Sequence, residues 1–179
     1  MPIGAFEGPA SDAIKAALVA EGYKVIRPDG SEVCRVWLRR EISGLAQGVL
    51  VGLISFPEAW SDFRSQPVAA GSYTLRYARM PSDGNHLGAS PTPDFLLLLS
   101  LEDDADPATI PDFDRLVALS SKVSGMNHVA PLNLARVGQQ SDFPAIGFNE
   151  DDLEVLFARI KTPDAELRLA LVIAGAAEQ

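Results

Sequence analysis

The sequence predicts a mainly β fold, an antiparallel β-sandwich of jelly-roll-like type with two short helices. Short apolar runs recur along the 179 residues, and several of them alternate apolar with polar side chains as a half-buried strand does. Pro, Gly and Asp residues separate these runs and are typical of turns. The spacing of an amphipathic helix is clearest in residues 11–21 and 113–124.

The composition indicates one globular domain. Apolar residues make up 47% of the chain and charged residues 22%, which is ordinary for a folded protein. A chain of this size buries roughly 70% of the surface that it exposes when unfolded. We predict a single domain over residues 1–179, with the Gly- and Pro-rich residues 1–10 and the residues 175–179 as loose ends.

The net charge of −9 bears on possible partners. A field of this sign repels phosphate backbones and anionic membrane surfaces, so we expect no nucleic-acid partner. The apolar runs are far shorter than the roughly 20 residues that span a bilayer, so we expect no membrane insertion. The simplest role of the charge is solubility.

The first half of the chain predicts a helix and then strands. Ser11 is a suitable N-cap for the first helix, and Gly22 is a suitable end. Residues 23–27 and 33–40 flank Pro28-Asp29-Gly30, which predicts a β-hairpin. Further strands are expected at residues 49–56, 72–79 and 95–101. The alternation predicts that Cys34, Val36 and Leu38 face the core, and it places Tyr73, Leu75 and Tyr77 together on one side of their strand.

Two polar segments lie between these elements. Residues 57–67 predict a loop or a single helical turn, in which Asp62 and Arg64 could pair locally, with little gain in stability if they are exposed. Residues 102–114 predict a solvated acidic loop. A calcium loop is the alternative for this segment, but its acids lack the ordered ligand series of an EF-hand.

The C-terminal third contains one ambiguous segment. Residues 150–161 fit a helix capped by Asn149, but they also alternate as a strand does. The turn-forming residues 162–165 favour a strand, a turn and a second strand. Upstream, Asp112 and Gly125 are suitable caps for the second helix, and residues 126–134 are expected to be extended.

Two blocks resemble an uncharacterised group of bacterial proteins, many of them exported. The first is AAGSYTLRYARMPSDGNHLGASPTPDFLLL at residues 69–98, and the second is SKVSGMNHVAPLNL at residues 121–134. Such proteins often have Ser-Gly-x-x-His-Pro in the second block, where this chain has Val129 after the histidine. The resemblance implies a bacterial, exported protein and no particular activity.

Two features of the sequence bear on the cellular compartment of the protein. No basic region followed by an apolar run is visible at the N-terminus, so no signal peptide is predicted. The single cysteine, Cys34, fits the cytosol and also an exported protein without a disulfide. With the resemblance, export to the periplasm or the exterior is favoured over the cytosol.

The chain has only two histidines, and they define the candidate site. His86 lies in the long polar segment 80–94 together with Asp83 and Asp94, and His128 lies in the second block. Two imidazoles with a carboxylate are a ligand set for zinc or another divalent metal. We name Asp83, His86, Asp94 and His128 as candidate ligand-binding residues.

Two methionines extend this hypothesis to copper. Met80 and Met126 lie close in sequence to the two histidines, and a thioether with imidazole suits copper(I). The candidate metal ligands are therefore His86, His128, Asp83 and Met126. Ordinary packing by both methionines is the alternative, and no cofactor motif is present, since no glycine-rich phosphate loop follows a strand.

An enzyme is the third class of function. A serine such as Ser124 paired with a histidine is the minimum for a hydrolase, but no G-x-S-x-G motif is present. The sequence therefore predicts a non-catalytic binding or assembly protein, which takes an unknown ligand or self-associates. A zinc or copper protein that uses both histidines is the first alternative, and a hydrolase is the second.

Overall fold

A computed structural model describes residues 1–81 and 91–174 of the chain. Asp83 and His86 therefore lie outside the described residues, as do residues 175–179, which were expected to be loose. The described elements, in chain order, are β1 (Pro2–Ile3), α1 (Asp12–Ala17), β2 (Gly22–Ile26), β3 (Glu32–Leu38), β4 (Leu50–Phe56), β5 (Trp60–Ser61), β6 (Pro67–Val68), β7 (Gly71–Arg79), β8 (Asp94–Ser100), α2 (Phe113–Ser124), β9 (Pro131–Asn133), β10 (Ala145–Phe148), β11 (Glu154–Lys161) and β12 (Glu166–Ala174).

The strands form one large sheet, one small sheet and a minor hairpin, and all their pairings are antiparallel. The large sheet has the order β1-β2-β3-β4-β7-β8-β9, and the small sheet has the order β10-β11-β12. The predicted mainly β, antiparallel fold with two helices is confirmed. The jelly-roll detail is corrected, because neighbours in the large sheet follow one another along the chain as in a meander.

The two sheets share the main core. Val36, Leu75 and Leu96 of the large sheet belong to the same buried cluster as Leu156 and Leu171 of the small sheet. Each fully buried side chain of this size contributes about 1.5–3 kcal/mol relative to exposure. The arrangement is therefore β-sandwich-like, and the predicted core-facing side chains of β3, which are Cys34, Val36 and Leu38, lie in this cluster.

The opposite face of the large sheet, called here the outer face, is covered by the two helices. Ile14 and Leu18 pack there against Trp37, whose Nε1 donates to the Gly4 carbonyl at 2.8 Å. Phe6 meets the Trp37 ring edge to face, with centroids 5.1 Å apart. The prediction of a loose N-terminal tail is therefore wrong for this segment, because its apolar side chains cover Trp37.

The first helix is shorter than predicted. Ser11 caps it as expected, since its Oγ accepts a hydrogen bond from Ile14 N at 3.1 Å. The helix ends at Ala17, because Leu18 is extended and forms a β-bridge with Arg39. Val19 N then donates to the Leu38 carbonyl at 2.9 Å. Gly22 begins β2 and does not end the helix.

The second helix has the predicted bounds. Asp112 Oδ1 accepts from Arg115 N at 2.8 Å, and Gly125 ends the helix with a left-handed φ of 67°. Leu116 and Leu119 pack against Leu97 and Leu99 on the outer face. Each of these features follows from the local sequence, which explains why the prediction succeeds here.

The ambiguous segment 150–161 contains a strand. β11 pairs with β12 along its whole length, and Val155, Phe157 and Ile160 are buried. Asn149 caps a turn and not a helix, since its Oδ1 accepts from Leu153 N at 2.9 Å. The helical pattern arose because both faces of β11 are covered, so apolar residues occupy nearly every position.

The segment 57–67 forms the β5–β6 hairpin and not a plain loop or a helical turn. Asp62 is 2% exposed, and its Oδ1 accepts from the backbone N of Arg64 and of Gln66, both at 2.9 Å. The predicted surface pair with the Arg64 side chain is therefore wrong. The Asp62 carboxylate instead holds the hairpin turn.

The acidic segment 102–114 is tied to the outer face by a buried ion pair. Arg76 Nη2 lies 2.7 Å from Asp104 Oδ1, and Arg76 Nε donates to Asp104 Oδ2 at 2.8 Å. Thr74 Oγ1 donates to the same Oδ2 at 2.6 Å. The prediction of a solvated loop is wrong for Asp104, which is 6% exposed, and this carboxylate is occupied by arginine.

Candidate functional site

A groove of about 420 Å³ opens on the outer face of the large sheet, beside α2. Its floor is made by two directly opposed pairs on β8 and β9, Phe95 with Asn133 and Leu97 with Pro131. Opposed residues of antiparallel strands present their side chains to the same face. The floor is therefore mostly apolar and rigidly placed by the sheet.

One wall of the groove belongs to α2. Phe113 and Val117 lie one turn apart on the helix, are half-buried and line the groove. The helix is held against the sheet by Leu116 and Leu119, so this wall has a fixed distance from the floor. Sequence analysis placed Phe113 and Val117 in a helix but gave no signal for a cavity.

The rim joins the two segments that the sequence analysis singled out. Met80 and Pro81, which follow β7, line the same groove as Asn127, His128 and Val129, which follow α2. The approach of these segments follows from the fold, because β7 and β9 both flank β8. Of the candidate site residues, His128 therefore lies at the groove.

The imidazole of His128 is oriented by its own backbone. Its Nδ1 lies 3.0 Å from the Val129 carbonyl oxygen. A carbonyl only accepts, so Nδ1 carries the proton and Nε2 is left as the acceptor of the neutral ring. His128 can thus accept a hydrogen bond from a bound molecule or coordinate a metal through Nε2.

Asp94 does not face the same space as His128. The hydroxyl of Tyr77 donates to Asp94 Oδ1, and Tyr77 belongs to the core between the sheets. The next residue, Phe95, points to the outer face and lines the groove. Burial, and then the hydrogen bond to Asp94, raise the pKa of Tyr77 to about 12.

The described part of the candidate metal site is incomplete. Met126 is 42% exposed and is not among the residues that line the groove. Within residues 1–81 and 91–174, no three His, Cys, Asp or Glu side chains are grouped closely enough to hold a metal ion. The metal hypothesis through Asp83 and His86 stays a prediction, because both lie outside the described residues.

Two described nucleophiles, Ser124 and Cys34, are engaged or buried. Ser124 Oγ contacts the backbone of Ser121 and His128, not an imidazole nitrogen. Cys34 is fully buried in the main core, and desolvation raises the pKa of its thiol to about 12. The arrangement therefore offers no activated serine or thiolate at these two positions.

The charge of the groove contrasts with that of the chain. Its polar lining residues are Arg64, Asn127, His128 and Asn133, and no carboxylate is among its described lining residues. The chain as a whole has 24 acidic and 15 basic residues. Among the described lining residues, the formal charge is therefore the positive charge of Arg64, which no sequence pattern connected to this site.

Comparisons with known proteins add no assignment. No protein-family model, curated protein or solved structure matches the chain. In the part of the chain that the structure describes, no helix is long and apolar enough to cross a membrane.

Proposed function

We propose that the protein is a non-catalytic binding module whose groove beside α2 takes a small amphipathic anion. The apolar body of the ligand lies on Phe95 and Leu97, between the sheet and Val117. Its anionic head lies at the rim near Arg64. The single observation that carries this proposal is an apolar groove with one arginine and no described carboxylate, in a chain of net charge −9.

The size of the groove supports a small ligand. Its volume of about 420 Å³ falls in the range of roughly 300–1,000 Å³ that small-molecule sites occupy. Such sites combine an apolar lining with a few polar groups that fix orientation. Asn127 and His128 supply such groups at the rim.

Isothermal titration with two ten-carbon probes tests the proposal. Decanoate and decylammonium share an apolar chain and differ in the sign of the head group. We expect decanoate to bind more tightly, because Arg64 attracts its carboxylate and the described lining offers no acid to the ammonium. Arg64→Gln should weaken decanoate binding by about threefold to tenfold, because Arg64 is exposed and a contact with it is worth no more than an ordinary hydrogen bond of about 0.5–1.5 kcal/mol.

Two further variants complete the test. Val117→Trp should abolish the binding of both probes, because the half-buried Val117 side chain borders the groove and a larger one fills it. Arg168→Gln, on β12 and outside the groove, should leave both affinities unchanged. Equal binding of the two probes, or unchanged binding in a folded Val117→Trp protein, contradicts the proposal.

A further inference from the structure

A second, more polar groove lies at the end of the sandwich that contains the turn between β2 and β3. Its volume is about 730 Å³. Ser31 and Val33 line one side, the β5–β6 hairpin lines another, and the start of β11 and the end of β12 complete it. It shares only the β5–β6 hairpin region with the groove beside α2, and no lining residue is common to both.

The lining of this groove is strongly acidic. Five carboxylates line it and one arginine, Arg27, does so as well. Glu32 is neutralised by Lys24 at 3.1 Å and by Arg35 at 2.6 Å. The other four carboxylates form no ion pair with any described Lys or Arg. They are Glu58, Asp62, Asp152 and Glu154.

The buried carboxylate of Asp62 is a separate observation that points to a cation. Asp62 lines the groove, yet it is only 2% exposed. Its Oδ1 accepts two backbone hydrogen bonds, whereas Oδ2 has no hydrogen-bond partner among the described residues. A buried acceptor without a partner is costly, and a buried charge more so, unless a cation compensates it.

Aromatic side chains add a surface that suits an organic cation. Phe148 lines the groove and is 72% exposed, which is the largest exposed fraction among the described large apolar residues. Trp60 also lines it and is fixed by its Nε1, which donates to the Ile173 carbonyl at 2.9 Å. Aromatic rings attract guanidinium and ammonium groups through their faces.

We propose that this groove is a binding site for a guanidinium or primary ammonium group, which pairs with Asp62 and lies against Phe148. The acids are too dispersed to chelate an ion, since no described group of three can hold a metal. A group with several N–H donors on an apolar stem reaches dispersed carboxylates better than a metal ion does. The net charge of −9 also steers cations toward the protein.

Titration with matched neutral and charged probes tests this site. The blocked tripeptide acetyl-Ala-Arg-Ala-amide should bind, and the same peptide with citrulline should not, because citrulline keeps the shape without the charge. Spermidine is the third probe. Tighter binding of the arginine peptide identifies a protein side chain as the source of the cation, and tighter binding of spermidine identifies a free polyamine.

Three variants locate the site. Asp62→Asn should weaken the preferred cation by about tenfold or more, since it removes the buried charge. Asn keeps an oxygen for the two backbone donors, so the hairpin should fold. Glu58 is exposed, so Glu58→Gln should weaken the binding of the same cation by only about threefold and serves as a second test of the site. Glu102→Gln, an exposed carboxylate outside the groove, is the matched control and should change nothing.

Three results overturn the proposal. One is equal binding of the arginine and citrulline peptides together with no binding of spermidine. Another is an unchanged affinity in both Asp62→Asn and Glu58→Gln. The third is the same loss in Glu102→Gln as in the groove variants, which indicates diffuse attraction to an acidic surface. The affinity of decanoate for the other groove serves as a folding control and does not decide this question.

Discussion

Arg76 donates all five of its guanidinium N–H groups inside the protein. Two go to Asp104, and the others go to the carbonyls of Gly48, Asp106 and Thr109. The side chain is 0% exposed. A single residue of β7 therefore holds the turn before β4 and the segment before α2 against the outer face.

Replacing Arg76 should be far more harmful than replacing a surface arginine. We expect Arg76→Gln to lower the free energy of unfolding by about 3–5 kcal/mol, because it leaves the buried Asp104 carboxylate unpaired. Arg159→Gln removes an exposed pair with Glu166 and should cost about 1 kcal/mol or less. Urea denaturation followed by circular dichroism measures both, and equal losses would contradict the assigned role of Arg76.

Local alternation was informative for one face of β7 and misleading for the other. It placed Tyr73, Leu75 and Tyr77 on one side of the strand, and in the structure Leu75 and Tyr77 are buried in the main core while Tyr73 is partly buried against it. It also placed Thr74 and Arg76 on the opposite face, but it could not indicate that this face is buried. That burial depends on Asp104, which is distant in sequence and whose position is set by the path of the chain after β8.

At the scale of the elements, Gly52 allows β3 and β4 to approach closely. A Cβ at this position would lie 2.5 Å from the Trp37 carbonyl oxygen and 3.1 Å from Leu38 Cα. Both are backbone atoms of the neighbouring strand, which cannot turn aside as a side chain can. The register of β4 against β7 also shifts between Leu50 and Gly52.

A methyl group at this position should therefore separate two central strands. We expect Gly52→Ala to lower the free energy of unfolding by about 2 kcal/mol or more. Gly147→Ala is the matched control, since Gly147 also lies in a strand but has nothing within 4 Å of its Cβ position. Its effect should stay within about 0.5 kcal/mol in the same thermal or urea melts. A reversed order of the two losses would contradict this packing.

The elements were predictable where their signals are local. The caps of α2, Asp112 and Gly125, lie next to the helix and set its bounds. The end of α1 is not local, because the β-bridge of Leu18 with Arg39 competes with another helical turn. The short strands β1, β5, β6 and β10 were missed for the same reason, since only their partners make them strands.

At the scale of the whole molecule, the two grooves are proposed to bind charges of opposite sign. Salt should therefore change their affinities to different extents. Raising KCl from about 20 mM to about 500 mM shortens the Debye length to a few ångströms. The affinity for the arginine peptide should fall several-fold, because its attraction to the −9 chain is screened.

Decanoate should respond differently in the same titrations. Salt weakens its contact with Arg64 but also screens its repulsion by the rest of the chain, so its affinity should fall much less or rise. Decylammonium serves as the control for salting-out of the apolar chain. A parallel fall of decanoate and arginine peptide would contradict the assignment of opposite charges to the two grooves.

The candidate site was predictable only in part. His128 was selected because the chain has only two histidines, and it lines the groove, whereas the selected methionine, Met126, does not. Arg64, Phe95 and Val117 were not selected, because each belongs to a different element and carries no motif. A cavity formed by separate elements leaves no spacing in the sequence, so it is visible only after the chain is folded.

The meander order of the large sheet has a consequence for the entropy of folding. From β2 to β9, each strand of the large sheet pairs with the next strand of that sheet along the chain, so each pairing closes a shorter loop than a pairing of more distant strands does. The entropic cost of closure grows with the logarithm of loop length, and short loops keep each step small. The bridges of Leu134 with Leu171 and of Glu41 with Lys161, which reach the small sheet, close longer loops and therefore carry a larger entropic cost.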